Sequence, residues 1–331
     1  MVNKKGGDME IAVAENRGKL IGIDEDFNNL ILSFISAQDV KEVSKRVYSR
    51  ALKQFIIWIK GKGVVNPTRE TILAYKEGLR TKGLSSLTLS GYLVAVRKFF
   101  EWLESVKRYP NIAKGIKGGK QTRDFRKDPL TVEQIGRLLK SIDRETSQGK
   151  RDFALLNLLI RTGLRTIEVI RADVGDIRQE GGEAVLQIQG KGRDAKDDFV
   201  LLTDNTLRPV RDYLQTRGKV EATDPLFTSM SCRNKNQRLT TRSVSRIIKE
   251  HLREIGLDSP RLTAHSLRHT AITLSLQAGA TIQEAQVLGR HANINTTLIY
   301  AHNIDRIAHA PEKKIDAFLE GNGVSSVNYV Y

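Results

Sequence analysis

Residues 41–60, KEVSKRVYSRALKQFIIWIK, carry apolar side chains at Val43, Val47, Ala51, Phe55 and Ile59, each four after the last. Leu52 and Ile56 beside them widen that line into the oblique band of a 3.6-residue period, whereas a strand would need every second residue apolar. Residues 85–104, SSLTLSGYLVAVRKFFEWLE, repeat the pattern with Leu89, Tyr92, Leu93, Val96, Phe99, Phe100 and Leu103, and Ser85 or Ser86 is placed to cap the helix. Two further helix-like segments accompany them. These stripes read as core, and they predict a small all-helical domain over residues 24–107, preceded by a loose tail over 1–23.

Charge narrows the choice of partner. The 331 residues hold 54 Lys and Arg against 38 Asp and Glu, a net of +16. Residues 1–127 account for 25 of the basic and 13 of the acidic groups, so most of the excess lies in the first part of the chain. Such a field favours polyanions, nucleic acid first, although a merely soluble basic protein has the same balance. One cysteine, Cys232, excludes an intrachain disulfide and a cysteine-built zinc cluster. The N-terminus has no apolar signal core. The longest apolar run, FIIWI, is far too short to span a bilayer. A soluble cytoplasmic protein with no membrane partner is expected.

The stretch 106–127, VKRYPNIAKGIKGGKQTRDFRK, has eight basic residues and one acid, broken by Gly and Pro. It reads as an interdomain linker over 108–127. A solvated connection is the plain reading. Lys107, Arg108, Lys114, Lys117, Lys120, Arg123, Arg126 and Lys127 would also suit a segment following a duplex, since each neutralised phosphate releases counterions. A second domain is expected over 128–309, with Thr131 capping its first helix. Helices are expected near 131–143, 151–162, 204–216, 241–255, 265–278 and 281–288. AVLQIQ and DDFVLLT flank GKGRDAKD as a hairpin, and DVGDIR is expected to add a third strand.

Four clusters in that domain carry chemistry. In RTGLRTIE, Gly163 ends a helix and leaves Arg165 just past the turn, either in a cleft or as a surface arginine paired with Glu168. The hairpin tip bears Lys191, Arg193 and Lys196. It is not a phosphate-binding P-loop, because Gly192 stands where Ser or Thr is required. AHSLRHT puts His265 and Arg268 three apart on one helical face, with His269 adjacent. LGRHANINTTLIYAH supplies His291 and, nine residues on, Tyr300, with Asn293 or Asn295 able to cap the helix that carries the tyrosine. Each cluster alone has a structural reading. Together, two arginines, a lysine, two histidines and a tyrosine are what metal-free phosphodiester chemistry needs: forks for the non-bridging oxygens, proton carriers, and an oxygen nucleophile. No cofactor or metal is required.

At these residues the sequence resembles the tyrosine recombinase (phage-type integrase) family. TGLRTIE matches its first catalytic arginine, Arg165, with the supporting acid Glu168. GKG matches the hairpin lysine, Lys191, and HSLRH matches HxxR at His265 and Arg268. GRHANINTTLIYAH matches the last histidine, His291, and the nucleophile, Tyr300. One departure shows: the family usually has Gly immediately before that histidine, whereas Arg290 stands between Gly289 and His291.

The resemblance implies a mainly α fold with a small antiparallel sheet, an N-terminal helical core-binding domain and a C-terminal α+β catalytic domain, closing as a C-shaped clamp on DNA. It further implies a 3′-phosphotyrosine intermediate, strand exchange through a Holliday junction, and a homo-tetramer on duplex recombination sites. The final stretch, 310–331, would hold a helix with Ile315, Phe318 and Leu319 on one face, docked into a neighbouring protomer or packed locally. With 23 residues before the first helix, a compact Xer-like or simple integrase is expected. A type IB topoisomerase-like enzyme, a telomere resolvase and a non-catalytic DNA-binding relative are the alternatives. The DNA site and any activating protein partner are not legible.

Overall fold

The computed structural model describes residues 26–119, 127–190, 192–308 and 310–322. The expected tail over 1–23, and Lys120, Arg123, Arg126 and Lys191, lie outside the described residues. The chain divides into two compact units, residues 1–122 and 123–331.

The first unit is all helical: α1 (Asp26–Ser36), α2 (Glu42–Gly61), α3 (Arg69–Thr81) and α4 (Ser86–Ser105). Ser85 caps α4 by accepting the Thr88 N–H at 3.2 Å. Its core holds Leu52, Phe55, Ile59, Leu93, Val96, Phe99 and Phe100. Aromatic edges meet faces there, as in Phe55–Tyr75 at 4.9 Å and Phe34–Phe99 at 5.5 Å. Burying each such side chain contributes roughly 1.5–3 kcal/mol. The stripe of α2 is buried only from Ala51 onward, and Val43 and Val47 are exposed, against the sequence expectation. The rings that cover α2 meet it at Tyr48, Phe55 and Trp58, so its first turn and a half runs past the packed layer.

The basic stretch after α4 is not a free linker as far as residue 119. Ala113 and Ile116 are buried in the helical core. The Tyr109 hydroxyl donates to the Pro67 carbonyl, and Arg69 donates to the Lys114 carbonyl, both at 2.6 Å. Two buried apolar residues in a Gly-rich, basic run give no sustained periodicity, which is why they pass as linker in the sequence.

The second unit opens with α5 (Val132–Lys140), capped by Thr131 in a reciprocal box with Gln134. Helix α6 (Ser147–Thr162) runs through the core with Leu155, Leu156, Leu158 and Leu159 fully buried. It stops at Gly163, whose φ of +61° glycine alone enters without crowding a Cβ. Then come α7 (Thr166–Arg171) and an antiparallel sheet in the order β1 (Ile177–Glu180), β2 (Glu183–Ile188), β3 (Asp198–Leu201). Leu186 pairs with Ile177 on one side and Val200 on the other, so β2 is the central strand. The expected third strand is present but shorter than DVGDIR. Val174–Asp176 form a 3₁₀ turn closed by the Asp176 carboxylate, which accepts the Asp173 N–H at 2.7 Å. Short acids that bond nearby backbone favour turns over ladders.

Helices α8 (Asp204–Gln215), α9 (Thr241–Glu254), α10 (Ala264–Gln277), α11 (Ile282–Gly289), α12 (Asn295–Ala308) and α13 (Pro311–Gly321) complete the unit. Helix α12 is capped through Asn293, whose side chain accepts the Asn295 N–H at 2.9 Å. Among the described residues, no helix is long and apolar enough to cross a membrane.

Candidate active site

The turn into α7 and the start of α10 wall one cavity, and the turn after α11 packs against both. Arg165 occupies the N-cap of α7, immediately after the Gly163–Leu164 turn. Its backbone N–H donates to Glu168 Oε2 at 2.7 Å and its guanidinium to Oε1 at 2.8 Å, so a carboxylate with no exposed surface fixes the arginine at both ends. Both sequence readings of Arg165 are therefore met: it pairs with Glu168 and it faces a cleft.

Arg268, on the first turns of α10, is buried. It donates to the carbonyls of Gly163 (2.6 Å) and Gly289, tying the ends of α6 and α11 together. Burial, with Arg165 and Arg290 alongside, pushes its pKa down to about 9. His265 is exposed one turn before His269, and the two rings meet edge to face at 4.6 Å. Arg165, His265 and Arg268, with Leu164, Thr166 and Ser245 of α9, wall a cavity of about 370 Å³.

His291 follows α11. Its Nδ1 is 2.9 Å from the Thr297 hydroxyl on α12, and its carbonyl accepts from Gln286 at 2.9 Å. Gly289 makes room for the ring: a Cβ there would lie 2.8 Å from the imidazole. Burial first, then Arg268 and Arg165, push the His291 pKa down to about 4.

Tyr300 is inserted between α10 and α11, packed with Ile272 and Ala285. Its hydroxyl is 2.5 Å from His269 Nδ1, and its ring stacks 6.1 Å from that of His291. Burial pushes the Tyr300 pKa up to about 12, opposed by Arg268 and Arg165. His269 is driven down to about 4 by burial and by His265, so it is a neutral partner for the phenol.

The structure thus brings Arg165, Glu168, Arg268, His265, His291 and Tyr300 into one neighbourhood; Lys191 lies outside the described residues. Arg193 and Lys196 at the same hairpin are engaged with acids, Arg193 with Asp197, and Lys196 with Asp173 and Asp176. Lys107, Arg108, Lys114 and Lys117 are exposed on the first unit, and Lys127 on the second donates to the Pro260 carbonyl at 2.6 Å. Sequence reasoning named His269 and Arg290 but gave neither a role in the site. The signal for His269 was the i, i+4 spacing from His265, which puts both rings on one face.

Residues 129–306 match the phage integrase family, and residues 32–107 match the N-terminal SAM-like domain of phage integrases. The first match alone spans more than half of the chain. The chain belongs to the phage integrase family of tyrosine recombinases. This recombinase is 31% identical over 274 residues to tyrosine recombinase XerC of Pelobacter propionicus, covering 80% of this chain and 87% of that one. It is 29% identical over 303 residues to a tyrosine recombinase of Synechococcus elongatus, covering 88% and 92%. A XerH site-specific recombinase, solved bound to its palindromic difH substrate, shares the fold with a TM-score of 0.68 at 22% identity, over 86% of this chain and 85% of that one.

Proposed function

We propose that this recombinase cuts and rejoins double-stranded DNA at specific sites through a 3′-phosphotyrosine on Tyr300. The observation that carries the proposal is the meeting of Arg165, Arg268, His291 and a buried tyrosine hydroxyl on the ends of four helices (α7, α10, α11, α12). In this reading the two guanidiniums take the non-bridging oxygens of the scissile phosphate and stabilise the pentacoordinate transition state. The phenolic oxygen attacks phosphorus, and its proton passes to the histidine cluster, with His265 as base or its support. The P–O5′ bond breaks, and Lys191 protonates the departing 5′ oxygen. The phosphodiester is replaced by a phosphotyrosine diester, so rejoining to a partner strand needs no external energy source.

Strand exchange between two sites through a Holliday junction needs several protomers. Helix α13 supports such an assembly: none of its residues is buried, and Ile315, Phe318 and Leu319 are exposed. The catalytic unit carries an apolar groove of about 390 Å³, walled in part by Val132, Ile135, Leu139, Leu274 and Leu288. Docking α13 of one protomer into the groove of the next is a heterologous contact that closes into a ring, here a tetramer. The exposed Lys107, Arg108, Lys114 and Lys117, with Lys120, Arg123, Arg126 and Lys127, would track the duplex backbone.

The test is a nicked suicide duplex bearing the site recovered by sequencing the DNA ends of covalent adducts formed on nicked genomic DNA. Wild-type protein should become covalently attached, while Tyr300→Phe should bind the same duplex and form no adduct. Attachment by Tyr300→Phe would refute the assignment.

A further inference from the structure

The turn that leads from α11 into His291 is made by an arginine. Arg290 has φ +46° and ψ +49°, the left-handed region in which an L side chain crowds the backbone and which glycine enters freely. Its side chain is nine-tenths buried, and its Nε is buried with no hydrogen-bond partner. Strained backbone and a desolvated donor both work against stability. Such features persist where the surroundings over-determine them, and they cluster at working sites.

The surroundings are the phosphate-facing machinery. Arg290 Nη2 donates to the Gly163 carbonyl at 2.9 Å and to Glu168 Oε2 at 3.1 Å, while its own carbonyl accepts from Arg165 Nη2 at 3.3 Å. None of these groups depends on it. Glu168 Oε2 already takes the Arg165 N–H, and the Gly163 carbonyl already takes Arg268. What Arg290 adds is a second guanidinium on the carboxylate that already holds Arg165, and a fork that ties the turn carrying His291 to the turn carrying Arg165.

We infer that Arg290 is a positioning residue for DNA cleavage, clamping Glu168 and the Gly163 turn so that Arg165, which walls the cavity, and His291, which follows Arg290 in the chain, are held in place relative to each other. It acts through those two residues, at the expense of stability. The inference rests on their assignment to the scissile phosphate.

The test compares Arg290→Gly, which fits the turn, and Arg290→Lys, which keeps the charge but not the fork. Single-turnover cleavage of the suicide duplex is measured at saturating protein, together with half-saturation and melting temperature. Arg290→Gly should melt at or above the wild-type temperature and reach half-saturation within about threefold, yet cleave about 10²-fold more slowly, the loss expected when reacting groups are displaced by about an ångström. Arg290→Lys should stay slow. Wild-type cleavage by either variant overturns the inference, as does a lower melting temperature for Arg290→Gly, which marks a merely structural residue. A second measurement needs no DNA: inorganic phosphate should raise the melting temperature of wild type more than that of Arg290→Gly, and equal shifts overturn the inference. Adduct formation by a Tyr300→Phe control would instead refute the underlying site assignment.

Discussion

Replacing Glu168 by Gln removes one charge and almost no volume. Glu168 has no exposed surface and takes hydrogen bonds from the Arg165 backbone, the Arg165 guanidinium and Arg290. Gln keeps one acceptor oxygen but offers an NH₂ where a guanidinium donates, leaving Arg165 and Arg290 facing each other without an anion. Breaking a buried ion pair from one side costs about 3–5 kcal/mol. The acceptor that Gln retains argues for the low end, about 3 kcal/mol, or a fall in melting temperature of about 6–12 °C for a domain of this size. Differential scanning calorimetry at neutral pH measures this directly. Phosphate should restore part of the loss, because an anion bound only by the folded state stabilises it. Adding Arg290→Gly should restore more, since neighbouring charges couple and the repulsion is then smaller. A Glu168→Gln protein melting within a degree of wild type would refute the account of Glu168 as the anion that holds the arginines together.

Other consequences follow from the same geometry. Gly289→Ala places a Cβ 2.8 Å from the His291 ring, so it should displace that ring and slow cleavage by about 10²-fold while leaving duplex retention intact; gel-shift and cleavage assays run in parallel decide it. Phe318→Glu puts a charge on the exposed face of α13 and should abolish the proposed tetramer on DNA, seen by light scattering, while cleavage by single protomers persists. Acid should destabilise the protein through two histidines. The folded pKa values of His269 and His291 are near 4, below the ordinary His value of about 6.5. The unfolded chain therefore takes up protons first, and stability present above pH 6.5 is lost as the pH falls toward 4. Melting temperatures from pH 7.5 to 4.5 should fall through that window, and His269→Asn should flatten the fall; a curve unchanged by the variant would contradict the burial argument.

How much of this was legible in the sequence differs from element to element. The stripe of α4 and the caps Ser85, Thr131 and Gly163 follow from local rules, because a 3.6-residue period and a capping hydroxyl act within a turn or two. The exposure of Val43 and Val47 does not, since it depends on how far neighbouring aromatics reach along α2. Ala113 and Ile116 were hidden inside a basic run, and Asp173–Asp176 were lost from a strand to side-chain bonds that a period cannot reveal. Arg165, His265, Arg268, His291 and Tyr300, which the structure brings together, stand out in the sequence by type, order and spacing. The partners that set their electrostatics do not. Arg290 reads as an interruption in sequence and meets Glu168 only because α7 and the end of α11 fold together across 122 residues.

Peptide mapping of the protein–DNA adduct tests the central claim most directly. The protein is mixed with nicked genomic DNA and stopped with detergent, and the covalent complex is digested with protease and nuclease for mass spectrometry. The account predicts one nucleotide-bearing peptide, modified at Tyr300, with the attached ends sequencing to a recurrent site, and no such peptide from Tyr300→Phe. A nucleotide on any other residue, or an undiminished adduct from Tyr300→Phe, would contradict it.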